Sequence, residues 1–198
     1  MAEQKVIVTD ADGVLLNWEW AFEVWMEEHG HRIVPEHNKD YDMGLRYGIT
    51  KEDSRRLIKL FNESAAIGFL PALRDATYYV KLLHEKHGYV FDVVTSLSTN
   101  TYAQKLRKKN LRKLFGDTAF RKFKFLGTGA DKDDALLPYK DSGLWWIEDK
   151  YENFKLGQSL GMKSILVEHG HNMHKDTTGG YLAKDWETIY HMIVDNEK

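Results

Sequence analysis

Cysteine is absent from the 198 residues, which rules out disulfides and thiolate metal sites together. An excess of one charge is also missing. Lys and Arg number 28 against 30 Asp and Glu, a formal net charge of −2, so the overall field gives no reason to expect a polyanionic partner. No apolar run approaches the ~20 residues that a membrane-spanning helix needs. The residues before Val6 lead into a strand too short and too polar for a signal peptide, so a soluble, cytoplasmic protein with no membrane partner is expected. The chain has no Pro-rich linker, internal repeat, low-complexity tract or Walker motif, and Gly127-Thr-Gly129 lacks the third glycine of a dinucleotide fingerprint. What is present, 42% hydrophobic residues including 13% aromatic, suffices for one packed domain or a core domain with a modest insertion.

The apolar pattern changes along the chain. Val6-Ile7-Val8 reads as a buried strand. From Asn17 to Pro71 the composition turns helical. Trp18, Phe22, Trp25 and Met26 recur at helical spacing with Gly30 behind them, and Thr50 with Asp53 resembles a capping box opening a helix to about Ser64. His31 to Ile49, with Pro35, Gly44 and Gly48, reads as irregular or a short helix, and Pro71 to His87 as a helix with proline in its first turn. Strands and helices then alternate. Strands are expected at 89–94, 123–126, 144–147 and 164–167, and helices at 99–114, 131–139, 151–160 and 186–194. Such alternation predicts a parallel α/β sheet, with the helical block after the first strand inserted over its carboxyl edge.

The strand ends carry the chemistry. Val6-Ile-Val runs into Asp10 and Asp12, separated by one residue and followed by Gly13. By itself this is a strand ending in an acidic turn, because Asp-Gly is common in turns. Two like charges ~4 Å apart repel by about 4 kcal/mol at an effective dielectric near 20, so a cation between them is called for, a divalent metal being the obvious candidate. The second strand delivers Thr95 and Ser96 at the same end, the fourth delivers Glu148 and Asp149, and Lys132 starts the short helix after the third. In a parallel sheet these groups converge on one crevice. Four acids, two hydroxyls and a lysine suit a hard cation and an anionic oxygen ligand. Magnesium needs only one or two carboxylates beside a substrate phosphate.

In order and type, Asp10-Ala-Asp-Gly-Val, Thr95-Ser96, Lys132 and Ile147-Glu-Asp-Lys150 resemble the four motifs of the haloacid dehalogenase superfamily. The Thr-Ser pair, Gly68-Phe-Leu-Pro-Ala-Leu73, Asp131-Lys132 and the Ile-acid-Asp-Lys run are more narrowly similar to its 5′(3′)-deoxyribonucleotidase branch. The resemblance spans about residues 5 to 167. It implies a Rossmann-like α/β core of residues 1–17 and 71–198 with a helical cap at 18–70, and Mg2+-dependent hydrolysis of a small phosphate monoester, a nucleoside 5′-monophosphate, through an aspartyl-phosphate. Asp10 would be the nucleophile. Asp12 would protonate the leaving oxygen and then activate water. Asp10, Asp149 and the backbone carbonyl of Asp12 would hold the metal. Thr95, Ser96 and Lys132 would bind the phosphoryl oxygens, Lys132 also neutralising Asp10.

Two positions depart from the pattern. Glu148 stands where most relatives have glycine and the nucleotidase branch aspartate, and Asn153 stands where many relatives have a second aspartate. Glu148 is then a direct or water-mediated partner of the metal, or points into solvent. Trp18 lies where the branch places an aromatic against the base, and reads equally as a core tryptophan of the first inserted helix. Sugar-phosphate phosphatases and phosphomutases share the four motifs, and a polynucleotide 3′-phosphatase would use the basic run Lys105-Leu-Arg-Lys-Lys-Asn-Leu-Arg-Lys113. A catalytically silent nucleotide-binding module would keep only the fold. Asp12 speaks against a dehalogenase. At this net charge the basic run reads as solvated helix surface rather than a nucleic-acid track. Trp20, Trp25, Phe61 and Phe69 are expected to pack within the insertion, and Trp145 and Trp146 in the core. His169, His171 and His174 with Asp176 fit no metal spacing and read as a polar loop near the crevice.

Overall fold

A computed structural model describes residues 4–196. Its strands are Val6–Thr9 (β1), Val90–Ser96 (β2), Phe120–Leu126 (β3), Trp145–Glu148 (β4), Lys163–Val167 (β5) and Tyr181–Ala183 (β6). Its α-helices are Trp18–Glu28 (α1), Met43–Tyr47 (α2), Lys51–Glu63 (α3), Ala76–His87 (α4), Thr101–Phe115 (α5), Asp133–Leu136 (α6), Tyr151–Ser159 (α7) and Trp186–Asp195 (α8). The strands form one sheet, all pairs parallel, in the order β3-β2-β1-β4-β5-β6. An α/β architecture with a parallel sheet is what the alternating pattern predicts.

β1 is buried along its whole length because it is covered on both faces. Its side chains alternate between two apolar clusters. Ile7 joins Phe91, Val93, Trp145 and Ile147 on the face packed by α4, α5 and α8. Val8 joins Val94 and Trp146 on the other face, under α6 and the C-terminal end of α7. The helix starts are set by short polar side chains: Asn17, Asp42, Thr50, Asn100 and Asp185 accept bonds from the first free N–H groups of α1, α2, α3, α5 and α8.

Between β1 and α4 the chain leaves the sheet and returns beside its own exit. The Asn17 N–H donates to the Pro71 carbonyl (2.9 Å) and the Leu73 N–H to the Leu15 carbonyl (2.9 Å). This pairing corrects the expected helix over 71–87. Pro71 to Leu73 is extended, its polar backbone committed to Leu15–Asn17, and α4 begins only at Ala76. The stretch 31–49 holds a 3-10 turn at Pro35–His37 and the short α2, as its glycines and proline suggest. β3 starts three residues earlier than expected, and β6, only three residues long, carries too little pattern to be read from sequence.

The helices α1 and α3 share an aromatic core. Phe22 and Phe61 are buried, with Trp18 stacked on Phe22 at 4.7 Å and Trp25 beside Phe61 at 5.7 Å. Trp20 and Phe69, expected to pack, are instead exposed (54% and 76%): Trp20 falls off the Phe22 and Met26 stripe of α1, and Phe69 lies in the connection between α3 and α4. Trp145 and Trp146 are buried as expected. Among the described residues no helix is long and apolar enough to cross a membrane.

Gly157, buried in α7, lies tight against the sheet. A Cβ there would collide with the indole of Trp146 and the hydroxyl of Ser164. Alanine improves helix propensity by up to ~1 kcal/mol over glycine. Overpacking against a rigid, fully buried indole costs ~1–3 kcal/mol and should win. Gly157→Ala is therefore expected to lower the urea midpoint at unchanged slope, and a raised midpoint would refute this packing.

Candidate active site

The sheet reverses its order at β1, with β2 on one side and β4 on the other. Loops leaving the carboxyl ends of such neighbours diverge and open a crevice. Asp10 is the first residue past β1, tied by its N–H to the Ile147 carbonyl (2.9 Å). Thr95 and Ser96 end β2, Glu148 ends β4, and Lys132 precedes α6. Their convergence follows from strand order and burial, which set where each chain segment stops.

Lys132 sits at the centre. Only 2% exposed, its ammonium lies 2.7 Å from Asp10 Oδ2 and 2.7 Å from Glu148 Oε2, over the Trp146 ring. Glu148 is fully buried, which corrects the alternative of a solvent-pointing side chain. Its carboxylate also accepts from the backbone N–H groups of Asp149 and Lys150 (3.0 Å each) and from Asn153 Nδ2 (3.2 Å). Asn153 thus supports Glu148 from behind, and its carbonyl accepts from the Trp146 indole. Asp10, Glu148 and Asp149 each place a carboxylate oxygen within 4.8 Å of the others. Gly13, with φ +70°, turns the chain so tightly past Asp149 that a Cβ would strike that carboxylate.

Asp12 stands apart from this cluster. Its carboxylate is held at 2.5 Å by Nη1 of Arg107, a residue of α5 with no solvent exposure. In the sequence Arg107 belongs to a basic run that reads as solvated helix surface. The neighbouring Lys105, Lys109 and Lys113 are indeed exposed, but Arg107 lies on the buried stripe with Ala103, Asn110 and Leu111. That spacing of Arg107 among Ala103 and Leu111 was the available signal.

The Thr95 hydroxyl is buried beside Asp10, close enough to favour its ionised form, though it falls outside good hydrogen-bond geometry. The Ser96 hydroxyl donates to the Ala130 carbonyl (2.9 Å). Trp18 lines the cavity and donates its indole N–H to Asn62 Oδ1 (2.9 Å). His169 and His171 lie behind the acidic loop, His169 Nε2 donating to the Gly13 carbonyl (2.7 Å), and Asn172 Nδ2 donating to the Asp149 carbonyl (2.6 Å). Burial holds both imidazoles below their ordinary range, which favours their neutral form. The crevice opens into a cavity of about 690 Å3, whose other walls come from α1, α2 and α3.

The charge balance is incomplete. Asp10, Asp12, Glu148 and Asp149 face Lys132 and Arg107, two fewer cations than acids. Burial raises Asp10 from 3.8 to about 6, with Lys132 opposing and Glu148 adding repulsion. Burial raises Asp12 to about 6 against the pull of Arg107. Asp149 rises to about 7 through burial and the nearness of Asp10. Burial also raises Glu148. It pulls Lys132 the other way, but Asp10 and Glu148 outweigh it and hold the ammonium above its ordinary range. A donor set of three acids against one directly paired cation, with no imidazole or thiolate among its members, fits a hard divalent cation.

No protein-family model matches the chain, and no curated protein does. Solved structures share its fold at low sequence identity. A haloacid dehalogenase-like hydrolase from Streptococcus pneumoniae aligns with a TM-score of 0.67 and 14% identity over 100% of both chains. A HAD family hydrolase from Deinococcus radiodurans R1, solved with phosphate and sodium, aligns at 0.62 and 16% over 98% of this chain and 96% of that one. CbbY from Rhodobacter sphaeroides, in complex with phosphate, aligns at 0.60 and 16% over 93% and 95%. The chain therefore has the haloacid dehalogenase fold.

Removing Arg107 should expose the cost of a partly buried Asp12. Breaking a buried pair from one side costs roughly 3–5 kcal/mol, and the 20% exposure of the Asp12 side chain together with relief of the unpartnered Arg107 Nε and Nη2 places this case at or below the low end. The loss should be larger at pH 8 than at pH 5, because protonation of Asp12, already raised to about 6, discharges the orphaned group. Urea unfolding of Arg107→Met at both pH values tests this, and wild-type stability at pH 8 would contradict it.

Proposed function

We propose that the chain is a divalent-cation-dependent phosphate monoester hydrolase. The observation that carries this reading is the convergence of the Asp10 carboxylate and the Lys132 ammonium on a cluster of acids at one end of the cavity, with the buried Thr95 hydroxyl beside Asp10. The fold neighbours solved with phosphate support it.

Asp10 attacks phosphorus, forming an acyl-phosphate bond as the ester P–O bond breaks. Asp12, held by Arg107, gives its proton to the departing alkoxide. It then accepts a proton from the water that cleaves the aspartyl-phosphate, returning Asp10 and free phosphate. Lys132 spreads the charge on Asp10 and the phosphoryl group, and Thr95 donates to a phosphoryl oxygen. Ser96 joins it only by giving up its bond to Ala130. Asp10, Asp149 and the Asp12 carbonyl would hold a magnesium ion, with Glu148 and Asn153 behind them, and that ion would supply charge neutralisation of the phosphoryl oxygens.

In this reading residues 18–70 form a cap over the core of 1–17 and 71–198, and the cap chooses the leaving group. The Trp18 ring lining the cavity supports a nucleoside in the leaving group. The polar wall of Ser54, Arg55 and Asn62 beside it favours a sugar phosphate as the second reading.

The test is turnover of p-nitrophenyl phosphate. The wild type should release p-nitrophenol with magnesium and lose activity in EDTA, while Asp10→Asn should lose at least about 10³-fold with its circular dichroism unchanged. Retained turnover in Asp10→Asn would remove Asp10 from the mechanism.

A further inference from the structure

The helical wall of the cavity carries positive charge that is only partly paired among the described residues. α3 turns Lys51, Ser54, Arg55, Ile58, Lys59 and Asn62 toward the cavity. Lys51, Arg55 and Lys59 are spaced i, i+4, i+8, a like-charge row that destabilises an isolated helix. Lys59 is relieved by Glu63 at 2.6 Å, and Arg56, which does not line the cavity, by Asp53 at 3.3 Å. Among the described residues Lys51 and Arg55 make no ion pair. The acids of the same wall are already engaged: Glu19 with Arg46 (2.6 Å), Asp40 with His37 (2.6 Å), and Asp42 with the Gly44 N–H at the start of α2 (2.7 Å). The wall therefore offers two exposed cations, without an ion pair among the described residues, in the cavity that also holds Lys132 and Asp10. At about 690 Å3 that cavity has room for far more than one phosphate.

We propose that Lys51 and Arg55 form a second anion subsite, so that the substrate is a phosphate monoester whose leaving group bears a further anionic group, a phosphate or a carboxylate. The proposal rests on the hydrolase reading and narrows its substrate class. A nucleoside 5′-monophosphate leaves both cations unused, whereas a nucleoside bisphosphate, a sugar bisphosphate or a phosphorylated acid engages them.

The experiment compares matched pairs with magnesium present: adenosine 5′-monophosphate against adenosine 3′,5′-bisphosphate, fructose 6-phosphate against fructose 1,6-bisphosphate, and glycerol 3-phosphate against 3-phosphoglycerate. In at least one pair the doubly anionic member should have a kcat/KM at least tenfold higher, carried mainly by KM. The pair that responds identifies the scaffold and the second anion. In the double variant Lys51→Gln/Arg55→Gln that ratio should fall to about one, while Arg56→Gln keeps it. Ratios near one throughout in the wild type, or a ratio unmoved in the double variant, would mean that Lys51 and Arg55 are merely solvated and would overturn the subsite. If p-nitrophenyl phosphate and the whole panel go unhydrolysed, the hydrolase reading fails separately. Calorimetry with fructose 1,6-bisphosphate, adenosine 3′,5′-bisphosphate and 3-phosphoglycerate then decides the subsite. Binding of one of them weakened at least tenfold in the double variant supports it, and equal or absent binding overturns it.

Discussion

The crevice depends on Lys132. A buried ammonium between two buried carboxylates, 2.7 Å from each, is tolerable only because each partner is further satisfied. Desolvation costs several kcal/mol per ion, and mutual attraction offsets it only with good geometry and no orphaned oxygens. Glu148 meets that demand through two backbone N–H groups and Asn153, and Asp10 through the Ala11 N–H at 2.6 Å. Three chain segments, the ends of β1 and β4 and the approach to α6, are thereby fixed to one point. Without the ammonium, Asp10 and Glu148 would repel one another in a medium that screens poorly.

That triad still leaves negative charge unbalanced. Asp149 makes no ion pair among the described residues and sits near Asp10, and Asp12 is stabilised from a different direction by Arg107. The two buried cations thus divide the acids by role. Lys132 serves the carboxylate proposed to meet phosphorus, and Arg107 the one proposed to carry a proton. A folded chain whose acids hold protons above their ordinary range loses stability as pH rises from about 4 to about 7, since the unfolded chain has already released those protons. A divalent cation would reverse that loss, linking metal affinity, stability and protonation through one set of side chains.

Much of this was legible in the sequence because strand ends announce themselves. A β-branched run followed by acids or hydroxyls places Asp10, Thr95 and Glu148 at the same edge once the sheet is parallel, and the structure brings them together. What was hidden concerns partners. Glu148 and Lys132 are 16 residues apart in sequence, and nothing local says that the longer acid reaches the lysine rather than solvent. Arg107 was masked by its lysine neighbours, because composition reports the average of a helix while burial follows one stripe of it. Pro71 misled in the same way. Its liking for a first helical turn was overridden by backbone pairing with Leu15–Asn17, a contact of distant segments. Trp20 and Phe69 show the limit of reading aromatics as core, since size alone does not say which side chains face inward.

The most direct measurement of the account is the proton count of magnesium binding. Calorimetric titration of the metal-free protein in buffers of different ionisation heat gives that count at each pH. Near pH 6.5, where Asp149 (about 7) and Asp10 and Asp12 (about 6) are partly protonated, binding should release protons, and near pH 8.5 it should release almost none. Absence of saturable binding, or the same proton count at both pH values, would contradict a cation site built from these acids.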